Sequence, residues 1–234
     1  MTAPQIHNHL QKLANPDKAR ILRGFFKTGP GEYGEGDRFL GIVVPVIRKL
    51  ARQHQDTPIG EVKKLLTSAI HEERLLALLM LVQRYEKGDD GSKKVIYDLY
   101  LESTEYINNW DLVDLSAGKI VGPYLRDRAR RPLYRLAKSK NLWERRIAIL
   151  STFHYIKNHD FMDTLAVAGL LLEDEEDLIR KAVGWMLREV GKRDRGVAER
   201  FLRAHYQSMP RTMLRYAIER FPESKRKKYL NGKI

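Results

Sequence analysis

Four segments of similar sequence recur along the chain, and each begins with an arginine followed by apolar residues at helical spacing. They are RLLALLM, RIAILST, RKAVGWM and RYAIERF, which start at Arg74, Arg146, Arg180 and Arg215. One step back from Arg146 reaches Trp110, so the period is about 35 residues, which is in the range of two-helix repeats. A chain with this period stacks helix pairs side by side, and this predicts an all-α solenoid.

The expected solenoid is right-handed and curved, and it is built from HEAT-like two-helix repeats. The second helix of each pair lines the concave face of such an array, so the repeated arginines predict a basic concave face. No segment shows the strict alternation that is typical of a strand. We expect a single domain over residues 1–234, in which 222–234 form a basic tail that is frayed or partly disordered.

Apolar spacing and cap residues predict the positions of the helices. The glycine-rich segment Thr28–Gly41 predicts a loop, either a flexible connection or the edge of a substrate site, and it lacks the GK[ST] ending of a phosphate-binding P-loop. We expect helices over Gln5–Leu13, from Pro16 through Phe26, from Pro45, from Pro58, from His71 through Tyr85, and over Lys93–Thr104, Asn109–Tyr124, Pro132–Lys138, Leu142–Asn158, Phe161–Leu172, Glu175–Lys192, Val197–Gln207 and Arg211–Phe221.

The chain is strongly basic, with 43 lysines and arginines against 30 acidic residues and a formal charge of +13. This balance suits a polyanion: DNA, RNA or an anionic membrane surface. The absence of cysteine excludes disulfides and thiolate zinc sites, and His7 and His9 lack the further ligands of a metal site. No stretch resembles a signal peptide or a membrane span, so we expect a cytoplasmic protein.

The stretch NNWDLVDLS, residues 108–116, combines a helix start with a candidate chemical site. Asn108 or Asn109 can cap the helix, and Trp110 and Asp114, four residues apart, then share a face from which Asp111 points away. An aromatic surface beside a carboxylate can hold an electron-poor ring or stabilise a developing positive charge. The alternative is a core tryptophan with a capping aspartate, which fits Asp111 better than Asp114.

The segment 126–146, RDRARRPLYRLAKSKNLWERR, is densely basic. A solvated charged face is one interpretation of it. Because Tyr134 and Trp143 are interleaved with the cations, contact with nucleic-acid phosphates is the interpretation that we favour. Arg146 is the strongest single candidate, since it begins a repeat segment next to the Trp110 helix.

A second aromatic–basic pair lies further along the chain. Trp185 and Arg188 are three residues apart in RKAVGWMLRE and share a helix face. Trp185 fits a packed core equally well. A groove that holds both residues together with Trp110, Asp114 and Arg146 is a more specific hypothesis than any one of them.

The motifs WDLVD, NLWERRIAIL and IRKAVGWMLRE, together with FLGI at 39–42, resemble the AlkD family of bacterial DNA alkylation-repair glycosylases, and the resemblance runs through most of the chain. Members of that family are HEAT-like solenoids that clasp duplex DNA in a concave basic cleft. They remove cationic bases such as 3-methyladenine and 7-methylguanine. The resemblance implies the same fold and activity here.

The resemblance also implies roles for individual residues. Asp114 would be the catalytic carboxylate, with Trp110 and Trp185 as aromatic walls beside the deoxyribose of the lesion. Arg146 would contact a phosphate, and Arg188 would face the DNA. Recognition would depend on the charge of the lesion and on the weakened duplex, without a tight pocket for the base.

This chain departs from the pattern of the family in three places. Phe25, which we expect to face the DNA, stands where better-known members have tyrosine, and His154 stands where they have lysine. The loop Thr28–Gly41 is longer than in some members. We expect these changes to affect lesion range and affinity more than the class of reaction.

The predicted function is therefore that of a monofunctional alkylpurine DNA glycosylase, a hydrolase that needs no metal or cofactor. Its partner would be double-stranded DNA containing alkylated bases, and we expect a monomer in the bacterial cytosol or nucleoid. One alternative is a non-catalytic HEAT-like protein that binds damaged or branched DNA, and another is a scaffold whose basic groove binds acidic proteins. A lone acid between two indoles favours the enzyme, because neither alternative needs one.

Overall fold

The computed structural model describes residues 1–234, and its regular structure is entirely helical apart from one isolated bridge between Arg38 and Ile70. The helices are α1 (Ala3–Lys12), α2 (Pro16–Phe25), α3 (Val44–Gln53), α4 (Ile59–Leu66), α5 (His71–Lys87), α6 (Asp90–Glu102), a 3-10 helix (Thr104–Tyr106), α7 (Trp110–Leu125), α8 (Arg131–Ala137), α9 (Leu142–Ser151), α10 (Phe153–Lys157), α11 (Met162–Leu170), α12 (Asp177–Arg193), α13 (Arg195–His205), α14 (Arg211–Ala217) and α15 (Glu223–Leu230). None of them combines the length and the apolar composition that a membrane-spanning helix requires.

The helices form two compact units, Met1–Ile120 and Val121–Ile234. In the first unit α3, α4 and α6 pack against α5, and α5 buries every residue from His71 to Val82. A helix that is buried on all sides forms the core of its unit, and residues 75–82 of α5 are correspondingly all apolar. In the second unit α9, α11, α13 and α14 pack against α12.

The repeat has a hydrogen-bond signature at the start of three helices. In each copy an arginine in the first turns donates to the carbonyl oxygen six residues earlier. The residue that supplies this carbonyl also accepts a second hydrogen bond. Its side-chain oxygen accepts from the backbone N–H of the residue two positions later. The pairs are Arg74 with Ser68, Arg145 with Ser139 and Arg180 with Asp174, with N–O distances of 2.8, 3.0 and 2.7 Å.

These hydrogen bonds correct the repeat register in one copy. The sequence pattern assigned the repeated position to Arg146, whereas the structure assigns it to Arg145. Trp110 keeps its aligned place, about 35 residues before Arg145 and about 36 after Arg74, in agreement with a two-helix period. The α7 copy therefore carries an indole where three other copies carry a guanidinium.

The helix expected over Leu142–Asn158 is divided into α9 and α10 at Thr152. The hydroxyl groups of Ser151 and Thr152 donate to backbone carbonyls within α9, a pattern that bends helices. The bend lies where α7 packs closely against the end of α9: a Cβ on Gly122 of α7 would lie 2.3 Å from the Ser151 carbonyl oxygen. The helix expected from Lys93 begins earlier, as α6 at Asp90, with Asp89 as its cap.

The C-terminal segment was expected to be a frayed tail, and this expectation is wrong. Glu223–Leu230 forms α15, and Tyr229 within it is only 1% exposed. The Tyr229 ring lies 5.5 Å from the ring of Tyr206 and 5.9 Å from that of Phe221, and Lys225 forms an ion pair with Glu199. One buried tyrosine among many lysines anchors the segment.

The close packing of α12 on α14 gives a stability prediction. A Cβ on Gly184 would lie 2.5 Å from both the Met213 carbonyl oxygen and the Tyr216 Cβ, so we expect Gly184→Ala to lower the free energy of unfolding by about 1–3 kcal/mol through overpacking. Gly169→Ala, at an exposed position of α11 with no neighbour within 4 Å, should instead be neutral or stabilising by up to about 1 kcal/mol. Urea titrations of both variants measure this, and equal effects would contradict it.

Candidate active site

Four consecutive polar residues are buried in the first turn of α5. His71, Glu72, Glu73 and Arg74 are between 1% and 4% exposed, although an isolated buried charge is very costly. Each of them has a partner from another part of the chain: the Glu73 carboxylate, for example, lies 2.6 Å from His7 Nδ1. This turn is therefore a polar junction inside an otherwise apolar helix.

His71 lies between two carboxylates. Its Nδ1 is 3.0 Å from Asp37 Oδ2, its Nε2 is 2.9 Å from Asp111 Oδ2, and Arg74 Nη2 donates to Asp37 Oδ1 at 2.5 Å. Burial alone would lower the pKa of His71, but hydrogen bonds to Asp111 and Asp37 outweigh it, so the pKa is raised above its ordinary value. Both ring nitrogens can then donate, as an imidazolium does.

The same network holds the glycine-rich loop. Burial would raise the pKa of the Asp37 carboxyl, but the hydrogen bond from His71 and the charge of Arg74 lower it below its usual range. The Glu72 carboxylate accepts from the backbone N–H groups of residues 40, 41 and 42 at 2.8–3.2 Å. Gly41 has φ +84° and lies against the backbone of α2, a position that no side chain can share. The C-terminal end of the loop is thus anchored.

Asp111 connects this network to the start of α7. Its second oxygen accepts from the backbone N–H of Leu112 at 2.8 Å, and the side-chain oxygen of Asn109 accepts from Trp110 N at 2.9 Å. Asp111 is therefore more than a helix cap, because its main partner, His71, is 40 residues away. Sequence analysis missed His71 and Asp37; the only signal was the run of charged residues HEER at the start of an apolar helix.

Aromatic rings from three segments surround Trp110, which is half-buried. Phe26 stacks on Trp110 with ring centroids 5.1 Å apart and an interplanar angle of 23°, and Phe25 meets Trp110 edge-on at 5.7 Å. Phe39 stacks on Phe26 at 5.1 Å and on His71 at 4.5 Å. Trp110 is thus held by an aromatic cluster that also covers the His71 network.

This cluster lines a pocket of about 450 Å³ in the first unit. Asp114, half-buried one turn after Trp110, also lines the pocket, and Phe25, which is 60% exposed, is another of its lining residues. Behind Asp114 the Tyr100 hydroxyl lies 2.9 Å from Ser116 Oγ, and burial together with the charge of Asp114 raises the pKa of Tyr100. The shared face predicted for Trp110 and Asp114 thus opens onto one cavity.

A second groove, of about 520 Å³, has the opposite character. Four cations line it, Arg48, Arg52, Lys87 and Lys119, against a single carboxylate, Glu86. Such a surface suits phosphate groups.

The two cavities lie along the same helices. On α3, Pro45 lines the aromatic pocket, while Arg48 and Arg52 line the basic groove. These residues are three and four positions apart and so share one face of the helix. On α7, Asp114 lines the pocket and Lys119 the groove. An acidic, aromatic region is therefore followed by a basic one.

The other predicted site residues belong to the second unit. Trp185 is half-buried, with its ring 6.0 Å from that of Phe153. Arg188 forms an ion pair with Glu219. Arg146 is 5% exposed and donates to the Leu178 carbonyl oxygen at 2.6 Å, which ties α9 to the start of α12.

The two aromatic residues interleaved with the cations of the basic segment are not exposed beside them. Trp143 is 7% exposed and belongs to the core, and the Tyr134 hydroxyl donates to Asp163 at 2.5 Å. Arg130 also pairs with Asp163. His154 is half-buried beside Arg126, and burial followed by that positive charge lowers its pKa, which favours the neutral ring. The exposed cations of the segment are Arg126, Arg128, Arg131, Arg135, Lys138 and Lys140.

The predicted site residues thus fall into two groups. Trp110, Asp114 and Phe25 line one pocket in the first unit. Trp185 and Arg188 lie on α12 of the second unit. Their roles, and that of Arg146, stay predictions.

Comparison with known proteins provides a family and a fold. The model of the family described as DNA alkylation repair enzyme matches residues 6–221. A solved structure described as "Predicted DNA alkylation repair enzyme from Enterococcus faecalis" has a TM-score of 0.70 and 17% sequence identity, covering 90% of this chain and 97% of that chain. At this identity the likeness shows the fold alone, and it confirms the predicted fold class. A comparison with curated proteins found no match.

The His71 network predicts how stability depends on pH. Because the pKa of His71 is raised in the folded state, its contribution is complete below the ordinary value of 6.5 and declines as pH rises through the folded pKa. We expect His71→Gln to lower the free energy of unfolding by about 3–5 kcal/mol near pH 6, since it removes the imidazolium that pairs with two buried carboxylates. The difference from the wild type should shrink as pH rises from 6 through the folded-state pKa of His71, because the neutral imidazole no longer pairs with both carboxylates.

Urea titrations across this range measure the effect. His159→Asn is the matched control, because His159 is exposed and its φ of 58° suits asparagine. The control should keep the pH slope of the wild type. A constant gap between wild type and His71→Gln would contradict a titrating, stabilising imidazolium.

Proposed function

The chain belongs to the DNA alkylation repair enzyme family, and we propose that it is a DNA glycosylase acting on cationic alkylated purines in duplex DNA, such as 3-methyladenine and 7-methylguanine. The observation that carries the proposal is the pairing of Asp114 with Trp110 on the wall of an aromatic pocket, close to a basic groove. A protein that only binds phosphates does not need a carboxylate on the wall of this pocket, because a carboxylate repels phosphate.

The proposed reaction needs no acid to protonate the leaving group. An N-alkylated purine is already cationic, so when the bond to the sugar breaks, the electron pair goes to the base, which leaves neutral. The sugar becomes an oxocarbenium-like cation, and the negative charge of Asp114 opposes it. Water then adds to the anomeric carbon and gives its proton to Asp114, which leaves an abasic site. The strand is not cut.

Trp110 adds an aromatic face to the same site. Its ring packs against Phe25 and Phe26 and its backbone N–H donates to Asn109, so the ring is oriented before the substrate arrives. An aromatic face attracts a cation through its quadrupole. The AlkD resemblance supports Trp185 as a second wall beside the deoxyribose.

Phosphate binding is proposed for the groove lined by Arg48, Arg52 and Lys119, because its four cations outnumber its single carboxylate. The resemblance also supports Arg146 and Arg188. In the structure Arg188 pairs with Glu219 and Arg146 is almost fully buried, so a phosphate contact at either residue requires rearrangement. The proposed enzyme acts as a monomer in the bacterial cytosol, without a metal or cofactor.

The first test removes the carboxylate. We expect Asp114→Asn to slow single-turnover release of 3-methyladenine and 7-methylguanine from methylated duplex DNA at least tenfold, and up to about 10²–10³-fold, because one preorganised electrostatic group is lost. DNA affinity should be kept. Glu102→Gln, which removes an exposed carboxylate from the same unit, should release bases at the wild-type rate.

Equal rates for Asp114→Asn and wild type would remove Asp114 from its assigned role. A wild-type protein that binds duplex DNA but releases no base would instead support the non-catalytic DNA-binding alternative.

The second test concerns the basic groove. We expect Arg52→Gln to weaken binding to duplexes of any sequence and to reduce the slope of log affinity against log salt by about one, since one phosphate contact is lost. Lys49→Gln removes the same charge from an exposed position on α3 that does not line the groove. Fluorescence anisotropy at several salt concentrations measures both, and equal slopes for the two variants would exclude a specific phosphate contact.

A further inference from the structure

The segment that follows Phe221 is basic, folded and outside the region that the family model matches. Residues 222–234 contain five lysines and arginines against one glutamate, and they form α15 and the turn after it. The family model matches residues 6–221, so membership of the family assigns no role to this segment. Because the buried ring of Tyr229 anchors α15, the second unit presents these charges on an ordered helix.

The glutamates around α15 are already paired with cations. The ion pairs are Glu199 with Arg195 and Lys225, Glu219 with Arg188, and Glu223 with Arg226. Two of the five cations of the segment, Lys225 and Arg226, are therefore used to hold the local structure together. The other three have no carboxylate partner, so positive charge is in excess at this end of the second unit.

Four cations without an ion pair form one patch. Lys227 and Lys228 lie side by side in the last turn of α15, and the backbone N–H of Lys233 donates to the Lys228 carbonyl oxygen at 2.8 Å. Arg211 of α14 donates to the Leu230 carbonyl oxygen at 2.5 Å, which places its guanidinium at the same end of α15. All four cationic residues are exposed. We call Arg211, Lys227, Lys228 and Lys233 the C-terminal basic patch.

The patch continues along α14 through Arg215. This residue lies four positions after Arg211 and shares its face of the helix. It is also the fourth of the repeated arginines, but it is exposed and makes none of the hydrogen bonds that hold Arg74, Arg145 and Arg180. The last copy of the repeat therefore directs its guanidinium to solvent, where it adds to the positive charge.

The residue types on α15 distinguish between the polyanions that such a patch could bind. Its exposed face carries Ser224, Lys227, Lys228 and Asn231, at helical spacing. This face has no apolar residue, whereas a helix that lies in a membrane surface needs an apolar face. The one aromatic ring, that of Tyr229, is buried, so α15 offers no surface on which unpaired bases can stack. Lysines and small polar side chains suit backbone phosphates, as a duplex presents them.

From this exposed, unpaired and purely polar surface we infer that the C-terminal basic patch binds the phosphate backbone of duplex DNA, in addition to the basic groove of the first unit. The choice of duplex DNA as partner rests on the proposed function, but the contact does not require base release. Each phosphate that a lysine neutralises releases counterions, so the patch adds affinity without sequence preference. Contacts of this kind let a protein slide along DNA, which suits a search for rare damaged bases.

The test measures binding to undamaged duplex DNA, so that it does not depend on catalysis. Fluorescence anisotropy at several salt concentrations gives the salt dependence of affinity for the full-length protein and for Lys227→Gln/Lys228→Gln. We expect the slope of log affinity against log salt to fall by about two, because two phosphate contacts are lost, and affinity to fall alike for duplexes of any sequence. Lys227→Glu/Lys228→Glu should bind more weakly still, since its carboxylates repel phosphate.

Lys63→Gln/Lys64→Gln is the matched control. Lys63 and Lys64 are likewise adjacent, exposed lysines of one helix, α4, and they do not line the basic groove. The control removes the same net charge, so it corrects for the long-range field of the protein. It should keep the wild-type salt slope and release bases from methylated duplex DNA at the wild-type rate. Circular dichroism checks that each variant is folded.

The same salt slope for Lys227→Gln/Lys228→Gln and for the control would overturn the inference. Loss of binding to single-stranded RNA or to vesicles of anionic phospholipid, with duplex binding unchanged, would overturn it as well. If the wild type releases methylated bases and the α15 variant keeps the wild-type slope, the patch is wrong and the proposed function stands. If the variant loses slope as expected and the wild type releases no base, the patch stands and the glycosylase proposal is wrong.

Discussion

The first unit depends on one buried imidazole held between two carboxylates. His71 joins Asp37 of the glycine-rich loop to Asp111 of α7, over 34 and 40 residues of sequence. Burying such a group is favourable only when its partners are all in place, so the loop and the two helices have one arrangement in which the cost is offset. That arrangement also places Trp110 beside Asp114.

Much of this structure was predictable from interactions between residues that are close together in the sequence. The repeat period, the Asn15-Pro16 helix start and the shared face of Trp110 and Asp114 depend on residues within a few turns of each other. The His71 network was not predictable, because nothing local indicates which distant acid meets a buried histidine. The anchoring of α15 through Tyr229 was missed for the same reason: the lysines around it dominate the composition.

Charge in this molecule is divided between regions rather than spread evenly. The net charge predicts a polyanionic partner as a class, but a sum over the chain hides the carboxylates that line the pocket beside Trp110. The division has a chemical use. In the proposed reaction the alkylated base is cationic before the bond breaks and the sugar is cationic afterwards, and both attract negative charge. The DNA strand that carries them is negative and binds positive charge, so a uniformly charged surface suits only one of the two.

The arginine that secures the turn before α5, α9 and α12 is replaced by Trp110 at the start of α7. The repeat that carries the candidate chemistry therefore lacks the arginine hydrogen bond that holds the start of the other three helices. Asp111 holds the start of α7 instead, through its hydrogen bond with His71. In an array of similar repeats, the copy that lacks the shared arginine contact and is held by a different network is therefore a candidate for the functional repeat. The same asymmetry offers a way to search other tandem-repeat chains for the module that became specialised.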